Sequence, residues 1–270
     1  MSSLLSLFVY DFGSFSLGAS MLTKILLSIL CSVSLSYGFV SVKPPVIGEK
    51  EGWDGEISLG GAYNSGNTDS SAVNFGLKAE YHETIWMLYS LASYTYGEAN
   101  GEKNKDQGIF HLRYIHNIGN TLYDYEIFGQ TEFNKFQDIK VRNLAGANIR
   151  RKITDFFDRC YVGLGLFYSH MEPDVVSDLN PVYDRIKLNT YLSFTKKVNE
   201  HFSVTYLGFY QPNVEDFSDY RIYQILQLDT LLGKNLSLGL DFSHKYNATP
   251  YHQVDKTDIS SMISLKYKLK

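Results

Sequence analysis

The sequence predicts an all-β protein, an antiparallel up-and-down transmembrane β-barrel of about twelve strands. From Trp53 onward, apolar and polar residues alternate with a period of two, which is typical of strands that separate two environments. The predicted connections alternate between short and longer polar segments, as the two ends of such a barrel require. Aromatic residues make up 15% of the 270 residues, which suits a barrel whose exterior faces lipid.

The composition excludes several other classes of protein. The chain is not depleted in apolar and aromatic residues, which excludes disorder. Its mean hydropathy of -0.18, without a long apolar run after residue 42, excludes a helical membrane protein. A formal net charge of -4 without a basic block argues against a nucleic-acid partner.

The N-terminal segment predicts export. After Met21 come Lys24, an apolar run over residues 25–33 and small residues up to Gly38, a pattern that is typical of a secretory signal peptide. We expect residues 1–38 to be a leader that is cleaved after Gly38, or alternatively after Ser36. Met21 is then the expected true start.

Two further segments follow this leader. We expect residues 39–52 to form a short periplasmic lead-in and residues 53–270 to form the barrel. A membrane anchor over residues 1–42 is the alternative to a cleaved leader. Cleavage would leave Cys160 as the one cysteine of the mature chain, so that no internal disulfide stabilises the barrel.

Strand positions follow from the alternation along the chain. It is clear in seven runs: 53–64, 73–82, 123–132, 160–168, 185–194, 236–245 and 259–269. It is weaker in five: 85–96, 108–116, 141–151, 202–211 and 220–231. We expect short turns near 83–84, 117–120, 152–158, 198–201 and 232–234, and longer loops at 65–71, 97–107, 135–140, 171–184, 212–219 and 247–257.

A soluble sandwich or lipocalin-like barrel is the competing interpretation of the same alternation. In such a fold the apolar stripe would lie inside and the polar stripe would face water.

The polar stripe carries charges of both signs, which predicts ion pairs across the lumen. A turn centred between Ile118 and Gly119 would set opposite each other residues whose numbers sum to 237. The expected pairs are Arg113 with Asp124 and His111 with Glu126. Where the last strand closes against the first, Lys266 and Lys268 are expected to meet Asp54 and Glu56. Because these charges would neutralise one another, we do not expect the lumen to select strongly for ions of one sign.

No motif in the sequence predicts catalysis. The seven histidines show no zinc-ligand spacing, so we expect neither a metal nor a cofactor. Charge pairing explains the neighbouring carboxylates Asp54 and Glu56 more simply than acid–base chemistry does. Cys160 falls on the apolar face, where it is expected to act as a small hydrophobe. We therefore expect no enzyme, and a membrane-embedded hydrolase is the least favoured alternative.

The segment between the first two strands is the most distinctive. Gly66, Asn67, Thr68 and Asp69 have the composition of a turn, because Gly and Asn tolerate positive φ and Thr and Asp bond nearby amides. Together with the preceding strand, they resemble the start of the YdiY-like family of salt-induced outer-membrane proteins, which carry a domain of unknown function. The matching positions are Trp53, Gly55, Gly60, Gly66, Asn67, Thr68 and Asp69.

The resemblance implies an outer-membrane β-barrel of a Gram-negative bacterium without an established activity. We expect outer-membrane lipid around it, and assembly machinery that recognises the outward-facing Tyr267 and Leu269. The expected role is a narrow channel or a permeability and envelope-stress element. A structural barrel whose outer loops bind a surface partner is the alternative.

Overall fold

The computed structural model describes residues 44–48, 51–64, 69–153 and 156–269. The twelve strands are β1 Gly52–Asn64, β2 Ser70–His82, β3 Trp86–Ala99, β4 Glu102–Asn117, β5 Tyr123–Asn134, β6 Ile139–Lys152, β7 Arg159–Glu172, β8 Tyr183–Lys197, β9 Phe202–Pro212, β10 Tyr220–Leu231, β11 Leu236–Asn247 and β12 Thr257–Leu269. A short 3₁₀ turn, Lys135–Gln137, joins β5 to β6. None of the helical segments in these ranges is long and apolar enough to cross a membrane.

Every strand pairs antiparallel with its neighbours in sequence, and β1 pairs with β12 to close the sheet. The closing seam runs from Gly55 opposite Leu269 to Gly61 opposite Ile263. Closure satisfies the backbone hydrogen bonds that an edge strand would leave exposed. The predicted fold class and strand number are confirmed.

The two faces of the barrel wall differ in polarity, with polar side chains inside. Among the described residues, buried polar side chains outnumber buried apolar ones, whereas Trp53, Tyr63 and Ile259 are 69%, 71% and 73% exposed. A water-soluble barrel would bury its apolar stripe instead. The lipocalin-like interpretation is therefore wrong.

Aromatic side chains line both ends of the exterior. At the end that carries the termini, rings in contact run from Trp53 through Tyr81, Trp86 and Tyr114 to Tyr125. At the opposite end, Tyr220 lies 5.7 Å from Tyr210 and 5.5 Å from Tyr246. Trp53 and Tyr63 lie roughly 25 Å apart along the axis, at about 3.3 Å per residue and a tilt near 40°. That is the height of the apolar band of transmembrane barrels.

One predicted loop is a tight hairpin. Only Asn100 and Gly101 separate β3 from β4, with φ of 51° and 80°, so the expected long connection over 97–107 is wrong. An Asn-Gly pair favours this type of two-residue turn because both positions need positive φ. The longest connections, 173–182, 213–219 and 248–256, all lie at this same outer end, opposite the termini.

Candidate functional site in the lumen

The lumen encloses a cavity of about 300 Å³. Pro44 and Pro45 line it at the end that carries the termini, and Pro250, Tyr251 and Val254 line it at the outer end. This volume is at the lower end of the range for small-molecule sites. Both of its ends are thus lined by segments outside the strands.

Residues 44–47, which we name the N-terminal plug, enter the barrel mouth. Arg150 Nη1 donates to the Pro45 carbonyl at 3.0 Å, and Arg159 Nη1 donates to the Pro44 carbonyl at 3.3 Å. Val46 is buried against Tyr161. The sequence predicted these residues only as part of a periplasmic lead-in. The stiff Pro-Pro pair was visible in the sequence, but its contacts with the barrel were not.

Residues 248–256, which we name the outer lid, fold over the other end. Tyr251 is buried, its hydroxyl donates to the Met171 carbonyl at 3.2 Å, and its ring stacks on Tyr183 at 5.5 Å. Val254 packs against the same cluster. The lid is therefore packed on a small apolar cluster that it shares with the ends of β6, β7 and β8.

Buried ion pairs centred on Arg150 join neighbouring strands of the wall in the inner half of the lumen. Its Nε lies 2.7 Å from Asp124 Oδ2 and its Nη1 lies 3.6 Å from Glu126 Oε1. Glu126 is fully buried and also accepts hydrogen bonds from Asn148 and Tyr191, both at 2.9 Å. Since Arg150 also holds the plug, the wall network and the plug share one guanidinium group.

Tyr191 reaches this network because the facing position on β7 is glycine. A Cβ at Gly163 would lie 2.1 Å from the Tyr191 ring. The sequence showed Gly163 only as a residue within a strand, since nothing local indicates which side chain crosses over it. Glycine is required here by close approach.

The predicted pairing register between β4 and β5 is wrong, because each residue of β4 lies opposite a residue four positions further along β5 than expected. Opposed residues sum to 241, because the connection is the five-residue segment 118–122 with positive φ at Gly119 and Asn120. An even shift leaves every side chain on its predicted face. Arg113 therefore still points into the lumen, but it lies opposite Phe128.

The predicted partners are exchanged accordingly. Arg113 Nη1 lies 3.4 Å from Glu126 Oε1 instead of contacting Asp124, which binds Arg150. His111 Nδ1 lies 3.0 Å from Gln130 Oε1 instead of contacting Glu126. The four predicted residues thus belong to one lumen wall, with different pairings.

At the seam, Lys268 Nζ lies 2.8 Å from Asp54 Oδ2, and Glu56 lies opposite Lys268 in the register. Lys266 turns to the other side, toward β10 and β11. Its Nζ lies 2.7 Å from Asp229 Oδ1 and 3.2 Å from Asp241 Oδ1. The predicted contact of Lys266 with the β1 carboxylates is thus replaced by these two pairs.

The outer half of the lumen has an excess of positive charge. Six basic side chains lie at inward strand positions there: Lys105, Arg142, Arg185, Lys187, Arg221 and Lys245. Three carboxylates lie among them: Glu132, Asp219 and Asp258. Asp255 and Lys256, from the outer lid, also line the cavity and add one charge of each sign. Sequence reasoning treated the lumen charge as one balanced set, because axial position depends on the stagger of the strands.

The family-motif residues divide between wall and loop. Trp53 faces outward, Gly55 contacts Leu269 across the seam, and Gly60 lies against Met262. The Asp69 N–H donates to Asn100 Oδ1 at 3.1 Å, which ties the first loop to the Asn100–Gly101 turn. The turn predicted at Gly66, Asn67 and Thr68 lies outside the described residues, as does the predicted leader.

No group of His, Cys, Asp and Glu in the described part of the chain is arranged to hold a metal ion. Cys160 is buried and lies opposite Phe194 on the outward face.

These features define the class of protein. It is a closed twelve-stranded barrel with a polar lumen, and segments outside the strands partly close both ends of that lumen. Residues 57–269 match the family described as "Protein of unknown function, DUF481", and the chain belongs to that family.

Among solved structures, the chain is similar to the translocator domain of the autotransporter NalP from Neisseria meningitidis, with 11% identity over 81% of this chain and 89% of that one and a TM-score of 0.45. It is also similar to the NanC porin, with 10% identity over 79% and 97% and a TM-score of 0.44. The KdgM porin gives 10% identity over 81% and 99%, with a TM-score of 0.40. No curated protein matches the chain.

Proposed function

We propose that the protein is an outer-membrane barrel that forms a narrow channel, closed at rest by its N-terminal plug. The membrane location is supported by the apolar exterior between two aromatic girdles. The observation that carries the channel proposal is the placement of residues 44–47 in the mouth of a lumen that holds a cavity of about 300 Å³.

The strength of the plug's attachment suits a gate. Its backbone is held by two hydrogen bonds from guanidinium groups, at 3.0 and 3.3 Å, and by the burial of Val46. Hydrogen bonds to charged groups contribute about 1.5–3 kcal/mol each, and the freed segment regains chain entropy. A net closing free energy of about 3 kcal/mol would leave the channel open under roughly 1% of the time.

Single-channel recording in planar bilayers tests this function. The wild-type barrel is expected to open rarely, and a variant with residues 44–48 replaced by Gly and Ser is expected to conduct steadily. The same replacement in the turn 232–235 is the control, since that turn lies at the same end but outside the plug. If the plug variant is folded and still silent, the channel proposal is rejected.

The outer loops support a second candidate function, which is binding of a surface partner. Asn180 joins three connections, because its Nδ2 donates to Asp138 and its Oδ1 accepts from the His252 N–H, both at 2.7 Å. Next to it, Val175 and Leu179 are 72% and 65% exposed. A silent plug variant, combined with a cell phenotype that requires Val175 and Leu179, would favour this function.

A further inference from the structure

Four basic side chains surround a small cavity of about 10 Å³ in the outer half of the wall. They are Arg142, Arg185, Lys187 and Arg221, from β6, β8 and β10. Arg142 and Arg221 also line the main lumen cavity. We name these four residues the basic cluster.

Two carboxylates neutralise part of the basic cluster. Asp219 Oδ2 lies 3.1 Å from Arg185 Nε, and Asp219 Oδ1 lies 3.0 Å from Lys187 Nζ. Burial raises the pKa of Asp219, but hydrogen bonds from Thr249 and Lys187 outweigh it and hold that pKa below its ordinary value. Glu132 Oε1 lies 2.8 Å from Arg142 Nη1. Four cations therefore have two anionic partners.

The remaining donor capacity lies on Arg142 and Arg221. The Arg142 side chain is 7% exposed, and its Nη2 has no hydrogen-bond partner among the described atoms. The Arg221 guanidinium donates to Met171 Sδ at 3.1 Å, and thioether sulfur is a weak acceptor. Arg142 Nε donates to Ser169 Oγ at 3.1 Å, so in the described part of the chain the donors of this pair that remain for oxygen are Arg142 Nη2 and the Arg221 guanidinium. Guanidinium donors normally bind oxygen, and these groups could therefore bind a further oxygen ligand.

We propose that Arg142 and Arg221 bind the oxyanion group, a carboxylate or phosphate, of a small solute that occupies the lumen cavity. Planar guanidinium forks match such groups with paired hydrogen bonds. Phe209, Tyr223 and Tyr251 line the same cavity and offer aromatic surface to the rest of the solute. The inference rests on the proposed channel for its biological meaning, since it names the class of solute, but binding itself does not require conduction.

Calorimetric titration of the refolded full barrel with benzoate, benzamide and inorganic phosphate tests the site. Benzoate and benzamide have nearly the same shape and differ in charge, so they separate oxyanion recognition from filling of the cavity. Benzoate is expected to bind at least tenfold more tightly than benzamide, and phosphate is expected to compete with it. Arg221→Gln should weaken benzoate binding at least tenfold, because it removes one of the two proposed guanidinium ligands. Among the described residues, the hydrogen bond that this guanidinium donates goes to Met171 Sδ.

Arg151→Gln is the matched control, since Arg151 is exposed and lies at an outward position of β6. Circular dichroism checks that each variant is folded, and Arg142→Gln repeats the test if Arg221→Gln is not. Three results would each overturn the site. They are equal affinity for benzoate and benzamide, unchanged benzoate affinity in both folded variants, and no benzoate binding at about 10 mM. Benzoate binding by a barrel that stays silent after plug replacement would reject the channel and keep the site.

Discussion

Replacement of Arg150 by methionine tests the network that joins the barrel wall to the plug. Arg150 is 1% exposed and contacts Asp124, Glu126 and the Pro45 carbonyl, and its guanidinium lies 4.0 Å from the Tyr161 ring. Methionine keeps much of the side-chain volume and removes the charge. The change thus leaves two buried carboxylates without their shared partner.

The expected loss of unfolding free energy is about 3 kcal/mol. Removal of one partner from a buried ion pair typically costs about 3–5 kcal/mol. The lower value applies because Asp124 keeps a hydrogen bond from Asn117 at 2.8 Å and Glu126 keeps Arg113 at 3.4 Å. At about 2 kcal/mol per molar of urea, the unfolding midpoint should fall by roughly 1.5 M.

Urea titration of the barrel in lipid vesicles measures this shift. Arg151→Met is the control, since the exposed Arg151 guanidinium lies 5.9 Å from the Tyr123 ring, and it should cost less than about 1 kcal/mol. Adding Asp124→Asn to Arg150→Met should recover part of the loss, because one buried charge then disappears. Equal shifts for Arg150→Met and Arg151→Met would refute the assigned role of the network.

Three further predictions concern single sites. Gly163→Ala should displace the Tyr191 ring and lower the unfolding free energy by about 1–3 kcal/mol in the same titration. At the control position, Gly233→Ala, an added Cβ has open space, and the loss should be less than about 1 kcal/mol. Similar losses for the two variants would contradict the close approach of Tyr191 to Gly163. The Lys197 N–H lies 2.6 Å from Asp158 Oδ2 and holds the pKa of that carboxyl below its ordinary value. This stabilisation is present above the unfolded pKa of about 3.9 and is lost as pH falls through the folded pKa, so Asp158→Asn should reduce the acid dependence of the urea midpoint. An unchanged pH dependence of the urea midpoint in Asp158→Asn would contradict the role of the Asp158 carboxyl. Lys268→Ala should change the midpoint by less than the equivalent of about 1 kcal/mol, because Lys268 is 60% exposed; a larger loss would mean that the Asp54 pair holds the seam.

The sequence predicted the wall of the barrel better than its interior contacts. Period-two alternation depends only on which face a residue occupies, so the error of four in the β4–β5 register did not move Arg113 or Glu126 out of the lumen. The Asn100–Gly101 turn was readable from a known hairpin signal, but the polar residues on both sides suggested a loop.

Contacts between distant segments were beyond the reach of the sequence. The plug joins Pro45 to Arg150, and the basic cluster joins Arg142 to Arg221, across intervals without a local pattern. The balanced net charge of -4 also concealed the excess of basic groups in the outer half, because it averages over the barrel axis.

Reversible locking of the plug is the most direct test of the central claim that residues 44–47 close the lumen. Val46 packs against Tyr161, so Val46→Cys and Tyr161→Cys place two thiols for a reducible crosslinker when the native cysteines are replaced by Cys31→Ser and Cys160→Ser. The decisive measurement is the open probability of single channels before and after addition of reductant. We predict that crosslinking abolishes the brief openings and that reduction restores them. A crosslinked barrel that opens as often as the reduced one would contradict the account.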